Sequence, residues 1–194
     1  VTLAISRSTT SIELTGSQPT VGTGGEQITI TAFVKDGNNV ARPNTAIGWS
    51  VSSGVLGSQV TTTNAAGVAT AVLSAGSDKS NRDAVITTTV GGASQTLTVP
   101  VVNTKLSFSG ATTLPIGSSM QFAVTASDSK SVPIPGVALS VRSSLGNGVP
   151  ATARTDANGQ ALLTYSATSS GSDTLVVSGA GTSVTSAITV SGLD

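Results

Sequence analysis

An all-β chain built as two tandem antiparallel sandwiches is predicted by three features of the sequence. Short runs alternate apolar and polar residues, turn signals separate those runs, and the whole pattern recurs after about 92 residues. The composition agrees, with 38% hydrophobic residues but only 3% aromatic and 9% charged. The apolar content is therefore mostly Val, Ala, Ile and Leu set among Ser and Thr. β-Branched side chains fit a pleated surface, and 22 glycines supply turns.

The repeat is plainest in TNAAGVATAVLS, starting at Thr63, and TDANGQALLTYS, starting at Thr155. Gly67 and Gly159, Ile47 and Leu139, Trp49 and Val141, and Gly54 and Gly146 are each 92 residues apart, as are Asp36 and Asp128. Upstream the spacing is read as 94, matching Gln27-Ile28-Thr29-Ile30 to Gln121-Phe122-Ala123-Val124 and Ile12 to Leu106. A period this long exceeds that of solenoid repeats and indicates two copies of a domain. At 194 residues each copy is large enough to bury a core.

Strand by strand, the two-residue period assigns an inward face. In the first copy it holds Ile28, Ile30, Ala32 and Val34, then Ile47, Trp49 and Val51, then Ala69, Ala71 and Leu73, and finally Leu97, Val99 and Val101. In the second it holds Phe122, Val124 and Ala126, then Val137, Leu139 and Val141, then Ala161, Leu163 and Tyr165, with Ile188 and Val190 last. The run around Val85, Ile86 and Val90 fits either parity. Turns fall at Asp36-Gly37-Asn38-Asn39, Ser53-Gly54, Asn64 to Gly67 and Gly91-Gly92.

Composition excludes whole classes of chemistry. Without cysteine there is no disulfide framework and no thiolate metal site. Without histidine the commonest general base and zinc ligand are missing, and with them the Ser-His-Asp and Cys-His arrangements. Glu13 and Glu26 are the only glutamates, and neither stands in a motif with a partner, so no enzyme is expected. Nine basic and nine acidic residues are scattered along the chain, so no basic stripe can follow a nucleic acid. No apolar run is long enough to span a bilayer, and the first residues show no basic-then-apolar signal pattern.

Three segments now resemble a known family. They are Val34-Lys35-Asp36-Gly37 with its polar turn, the alternating strand ending in Ser53-Gly54, and Thr155-Asp156-Ala157-Asn158-Gly159-Gln160-Ala161. Together they look like the group-one bacterial immunoglobulin-like domain of the invasin and intimin adhesins, and the resemblance covers both copies. Asn64 stands where the family pattern has Asp, a change the turn tolerates because both residues bond to nearby backbone. The resemblance implies two tandem immunoglobulin-like antiparallel β-sandwiches and no catalytic residues. It further implies cell-surface stalk repeats that hold a binding tip away from a bacterium, in a virulence-related adhesin that is anchored in the outer membrane or secreted.

The expected domains are residues 9–102 and 103–194, arranged end to end because Val102-Asn103-Thr104-Lys105 is short and lacks a flexible tract. Residues 1–8 contain Leu3-Ala4-Ile5, similar to the closing strands Leu97-Thr98-Val99 and Ile188-Thr189-Val190. They are either the last strand of a preceding repeat or an extra edge strand of the first domain.

Candidate site residues are few. Asp36, Asn38 and Asn39, and Asp156 and Asn158, could offer oxygens to calcium, but a calcium site needs six to eight, and turn chemistry accounts for these residues. No cofactor is expected. Asp78, Arg82 and Asp83 could touch a partner as a loop, and Phe33 should point outward, opposite in parity to Ile30, Ala32 and Val34, with Ser127 as its counterpart. The expected partners are neighbouring repeats of the same chain, with a host-cell or bacterial receptor engaged through other parts of the parent protein. Nucleic acid and membrane insertion are not expected. The alternative function is that the repeats themselves bind a receptor or glycan through loops or an exposed face.

Overall fold

A computed structural model describes residues 9–192. Residues 1–8, and the two readings offered for them, lie outside the described residues. All regular structure among the described residues is β. The chain divides into two compact units, residues 9–78 with 82–101, and residues 79–81 with 102–192.

The first unit contains β1 (Ser11–Gly16), β2 (Val21–Gly22), β3 (Gln27–Lys35), β4 (Gly48–Val51), β5 (Val55–Gly57), β6 (Val68–Ser74), β7 (Arg82–Val90) and β8 (Ala93–Val102). One sheet runs β1-β3-β6-β5 and the other β2-β8-β7-β4. The alternation seen in the sequence is the burial pattern of β3: Ile28, Ile30, Ala32 and Val34 are buried while Gln27 and Thr29 are exposed. On β7 the undecided parity resolves to Ala84, Ile86, Thr88 and Val90 facing in. The register decides it, because β7 is zipped between β4 and β8, with Val51 opposite Ile86 and Ala84 opposite Val99.

The second unit contains β9 (Lys105–Ser109), β10 (Thr113–Pro115), β11 (Ser119–Ser127), β12 (Ala138–Ser143), β13 (Thr152–Arg154), β14 (Gln160–Ser166), β15 (Gly171–Gly179) and β16 (Thr182–Ser191). Its sheets run β14-β11-β9 and β10-β16-β15-β12-β13, with β10 parallel to β16. Phe122 is buried at the centre and packs its ring 5.0 Å from that of half-buried Phe108. The segment 79–81 folds with this unit: Asn81 Oδ1 accepts the Thr104 N–H at 2.8 Å and Nδ2 donates to the Thr104 carbonyl at 2.9 Å. Lys79 Nζ lies 3.8 Å from the buried carboxylate of Asp128.

The register corrects one alignment. Gln27 pairs with Ser74 on β6, and Ser119 pairs with Ser166 on β14, so β3 and β11 correspond at a spacing of 92 and not 94. Ile30 therefore matches Phe122, and the counterpart of Phe33 is Thr125. The spacing of 94 holds only for the first strand, where Ile12 faces Val34 and Leu106 faces Ala126. The two extra residues sit in the first unit, between β1 and β3, where insertions cost little.

Trp49 lies inward but is only half-buried, packing against both apolar clusters of the first unit, with its Nε1 donating to the Val60 carbonyl at 2.9 Å. Trp49→Ala should destabilise the first unit by about 2 to 3 kcal/mol, below the figure for a fully buried Trp. Urea unfolding followed by backbone NMR signals should show the first unit melting early while the second keeps its midpoint. An unchanged first-unit midpoint would show that the ring contributes nothing to the core.

Candidate functional site

The repeated turn is the most fully determined local structure in either unit. In the second, Asp156 Oδ1 accepts the backbone N–H groups of Asn158 and Gln160 at 2.8 and 2.9 Å, and the Asp156 N–H donates to the Gln160 carbonyl at 2.8 Å. In the first, Asn64 Oδ1 accepts from Ala66 and Val68 at 2.9 and 3.1 Å. Two more turns share this geometry: Asp36 accepts from Asn38 and Val40, and Asp128 from Lys130 and Val132. An Asx side chain here replaces backbone partners that a tight turn cannot supply.

The Thr before this turn ties two loops together. Thr155 is buried, its hydroxyl donating to the Ile134 carbonyl and accepting the Val137 N–H, each at 2.8 Å. Thr63 repeats this with the Arg42 carbonyl and the Thr45 N–H, at 2.6 and 2.9 Å. The Gly completes the motif for a steric reason. Gly159 has φ of 69°, and a Cβ there would lie 2.8 Å from both the Ala126 carbonyl oxygen and the Ile134 nitrogen.

These bonds define what the calcium candidates do. Asp36 and Asp156 each spend one carboxylate oxygen on two amides, while Asn38 and Asn158 present their own N–H groups to that oxygen. Among the described residues no three of the His, Cys, Asp and Glu types gather as a metal would require.

In the proposed contact loop, Asp78 and Arg82 come together, with Arg82 Nε 3.4 Å from Asp78 Oδ2. Arg82 also donates to the carbonyls of Asp78 and Ala75 at 2.9 and 2.7 Å and to the Ser53 hydroxyl, so its guanidinium braces the loop from inside. Asp83 is exposed at the start of β7, opposite Pro100. Phe33 is half-buried on the outer face, between Glu13 on β1 and Val68 on β6. It sits at the end of β6 away from Ser74 and the Asp78 loop, so at about 3.3 Å per residue the two candidates are roughly 20 Å apart. The fold does not bring them into one site.

The largest polar feature was not singled out in the sequence. Asp173 is fully buried on β15 and accepts five bonds. They come from the hydroxyls of Ser143 (2.6 Å), Ser144 (2.8 Å) and Tyr165 (2.7 Å), the Asn147 amide (3.0 Å) and the Leu145 N–H (3.0 Å). Asn147 also donates to the Tyr165 hydroxyl and accepts from the N–H groups of Thr168 and Ser169. Burial alone would raise the carboxyl's pKa, but the donors outweigh it and hold Asp173 well below the usual carboxylate range. Burial, with the bond to that carboxylate and its charge, pushes the Tyr165 hydroxyl up.

The other copy is apolar at the same place. Ser52 and Ser144 each accept from the facing strand, from Val85 at 3.0 Å and Thr174 at 2.9 Å, which matches Asp173 to Ala84 and Tyr165 to Leu73. The one hint in the sequence was an Asp at an inward-facing strand position, two residues before Leu175.

No family model matches the sequence, and no curated protein matches it. Among solved structures, the Yersinia pseudotuberculosis adhesin InvE is similar over 92% of this chain and 58% of its own, with a TM-score of 0.60 at 20% identity. The chain thus spans less than two thirds of the InvE structure. The D0-D1 domain of intimin is similar over 91% of this chain and 96% of its own, at 23% identity and a TM-score of 0.43. The Escherichia coli adhesin FdeC is similar over 95% and 64%, at 20% identity and a TM-score of 0.43. The fold is that of the immunoglobulin-like sandwiches found in bacterial adhesins.

Two predictions come from this geometry. Gly159→Ala should cost more than about 2 kcal/mol, since a Cβ raises the energy of a left-handed residue and here also meets backbone. Chemical unfolding should show the loss in the second unit, and an unchanged midpoint would mean the turn is not sterically closed. The second concerns acid. Asp173 has a folded pKa below its unfolded value of about 3.9, so its stabilisation is complete well above pH 4 and declines as pH falls toward the folded pKa. In Asp173→Asn an amide places a donor against donors, costing on the order of 3 kcal/mol at neutral pH. The variant's second-unit stability should therefore fall less than the wild type's between pH 5 and pH 2, whereas parallel curves would contradict the assignment.

Proposed function

We propose that the two sandwiches are spacer repeats of a bacterial surface adhesin, carrying a binding tip that lies elsewhere in the parent protein. The observation behind this reading is where the polar groups go. Asp36, Asp128, Asp156, Asn64, Thr63, Thr155, Arg82 and the Asp173 cluster are all engaged with the protein's own backbone and side chains. Among the described residues these groups are spent on holding turns and loops in place, which suits a repeat whose task is to transmit length and force. The likeness to InvE supports the same class of protein. An extracellular location at the bacterial surface belongs to this proposal.

The test is an exchange in the parent adhesin. Replacing residues 9–192 with two unrelated immunoglobulin-like spacer domains should leave ligand binding and adhesion unchanged at equal surface display. Loss of adhesion in the exchanged protein would overturn the spacer reading and assign binding to these repeats.

A further inference from the structure

The chain is neutral as a whole, but its two units are not. Among the described residues the first unit carries three cations against five carboxylates, and the second carries five cations against three carboxylates. Two of the second unit's carboxylates, Asp128 and Asp173, are buried, and Asp156 gives Oδ1 to the amides of its own turn. The surface of that unit is therefore cationic.

Two of its cations share one sheet face. Along β12, Leu139 and Val141 are buried while Ser140 and Arg142 are exposed, and on β13 Ala153 packs against the core while Thr152 and Arg154 are exposed. Both arginines thus stand on the outer face of the five-stranded sheet. The register sets a rung of hydroxyls between them, with Thr152 opposite Ser140, Ser140 opposite Ser178, and Ser178 opposite Ser183. Arg154 lies one pleat to one side of that rung, opposite Ala138, and Arg142 lies one pleat to the other. At about 3.3 Å per residue the two positions are roughly 13 Å apart along the strands. No Asp or Glu points outward from any strand of this sheet, and neither arginine has an acidic partner among the described residues. Arg154 Nη1 donates to the Gly136 carbonyl at 2.7 Å, which holds that exposed guanidinium in place.

The first copy lacks this arrangement. Trp49 matches Val141, and the bridge between Ala46 and Thr62 matches the pair Ala138 and Arg154, so Ser50 and Thr62 stand where the second unit has Arg142 and Arg154. The fold does not require arginine at either position.

We propose that this face binds a linear carboxylated polysaccharide. Each guanidinium presents a planar fork that matches a carboxylate, and the rung of hydroxyls between the two can exchange hydrogen bonds with sugar hydroxyls. The face carries no aromatic ring, on which the bases of a single-stranded nucleic acid would stack. The polysaccharide is that of the coat around the cell that displays the repeats; this choice of source rests on the spacer reading, and the chemistry of the face does not. Each contact is exposed and weak, so affinity comes from many copies of the face along one polymer. Binding on the flank is separate from binding at a tip, so the exchange of residues 9–192 tests the spacer reading and a direct titration tests the face.

The whole 194-residue chain is titrated into fluorescently labelled polygalacturonate, and separately into labelled neutral dextran, with anisotropy as the readout. Polygalacturonate should bind at low salt and weaken as added salt screens the arginines, whereas dextran should not bind. Arg142→Ser combined with Arg154→Thr, which restores the residues of the first copy, should weaken binding about tenfold at an unchanged melting temperature. Lys105→Ser combined with Lys130→Ser removes the same charge from β9 and from the Asp128 turn, off this face, and should bind like wild type. Amide NMR shifts on adding polygalacturonate should fall on β12, β13 and β15. A wild-type chain that does not bind polygalacturonate, or binds dextran as tightly, would overturn the proposal. So would an arginine pair variant that binds like wild type, or a lysine pair variant that loses as much as the arginine pair.

Discussion

A single buried hydroxyl in each unit sets the geometry on which the rest depends. Thr155 and Thr63 each bridge the carbonyl of one residue to the N–H of the residue three further on, in the loop entering β12 or β4. That loop would otherwise bring unpaired backbone groups into the sandwich, and buried amides cannot be left unmade. Once the hydroxyl is in place, the following Asx and Gly must close the turn within four residues. The strand that leaves it, β6 or β14, is then delivered in the one register that turns Ala, Ala and Leu, or Ala, Leu and Tyr, toward the core.

This economy suits a chain so poor in aromatic and charged residues. With little large apolar volume to pack, the units rely on complete hydrogen bonding at their turns and on close packing of small β-branched side chains. The turn side chains Asp36, Asn64, Asp128 and Asp156 accordingly point back at backbone. The same logic explains how two copies of one fold can differ inside. A position that holds Leu73 and Ala84 in one core can hold Tyr165 and Asp173 in the other, provided every polar atom finds a partner at once. Ser143, Ser144 and Asn147 supply those partners from a loop at the end of β12.

Much of the fold was legible in the sequence because period-two alternation and turn chemistry are local. Ile28 to Val34, Ala69 to Leu73 and Phe122 to Ala126 lie on the faces their spacing assigns. The parity of β7 was not legible, since Val85 and Ile86 are equally apolar and only pairing with β4 and β8 distinguishes them. The slip to 94 in matching β3 to β11 arose because Gln recurs before an apolar pair in both, a coincidence that only register exposes.

By itself, then, the sequence determined the class: strands, turns, a duplicated unit and a set of missing reactive groups, all of which follow from residue type and short-range spacing. The tertiary structure alone decided which polar groups meet and which strand edges are covered. Asp173 becomes a satisfied buried carboxylate through residues about thirty positions away, and Arg82 becomes a brace through carbonyls the chain folds back to present. β14 is left open because β13 crosses to the other sheet. Each of these is a long-range choice between competing backbone partners, and no local pattern encodes which partner wins.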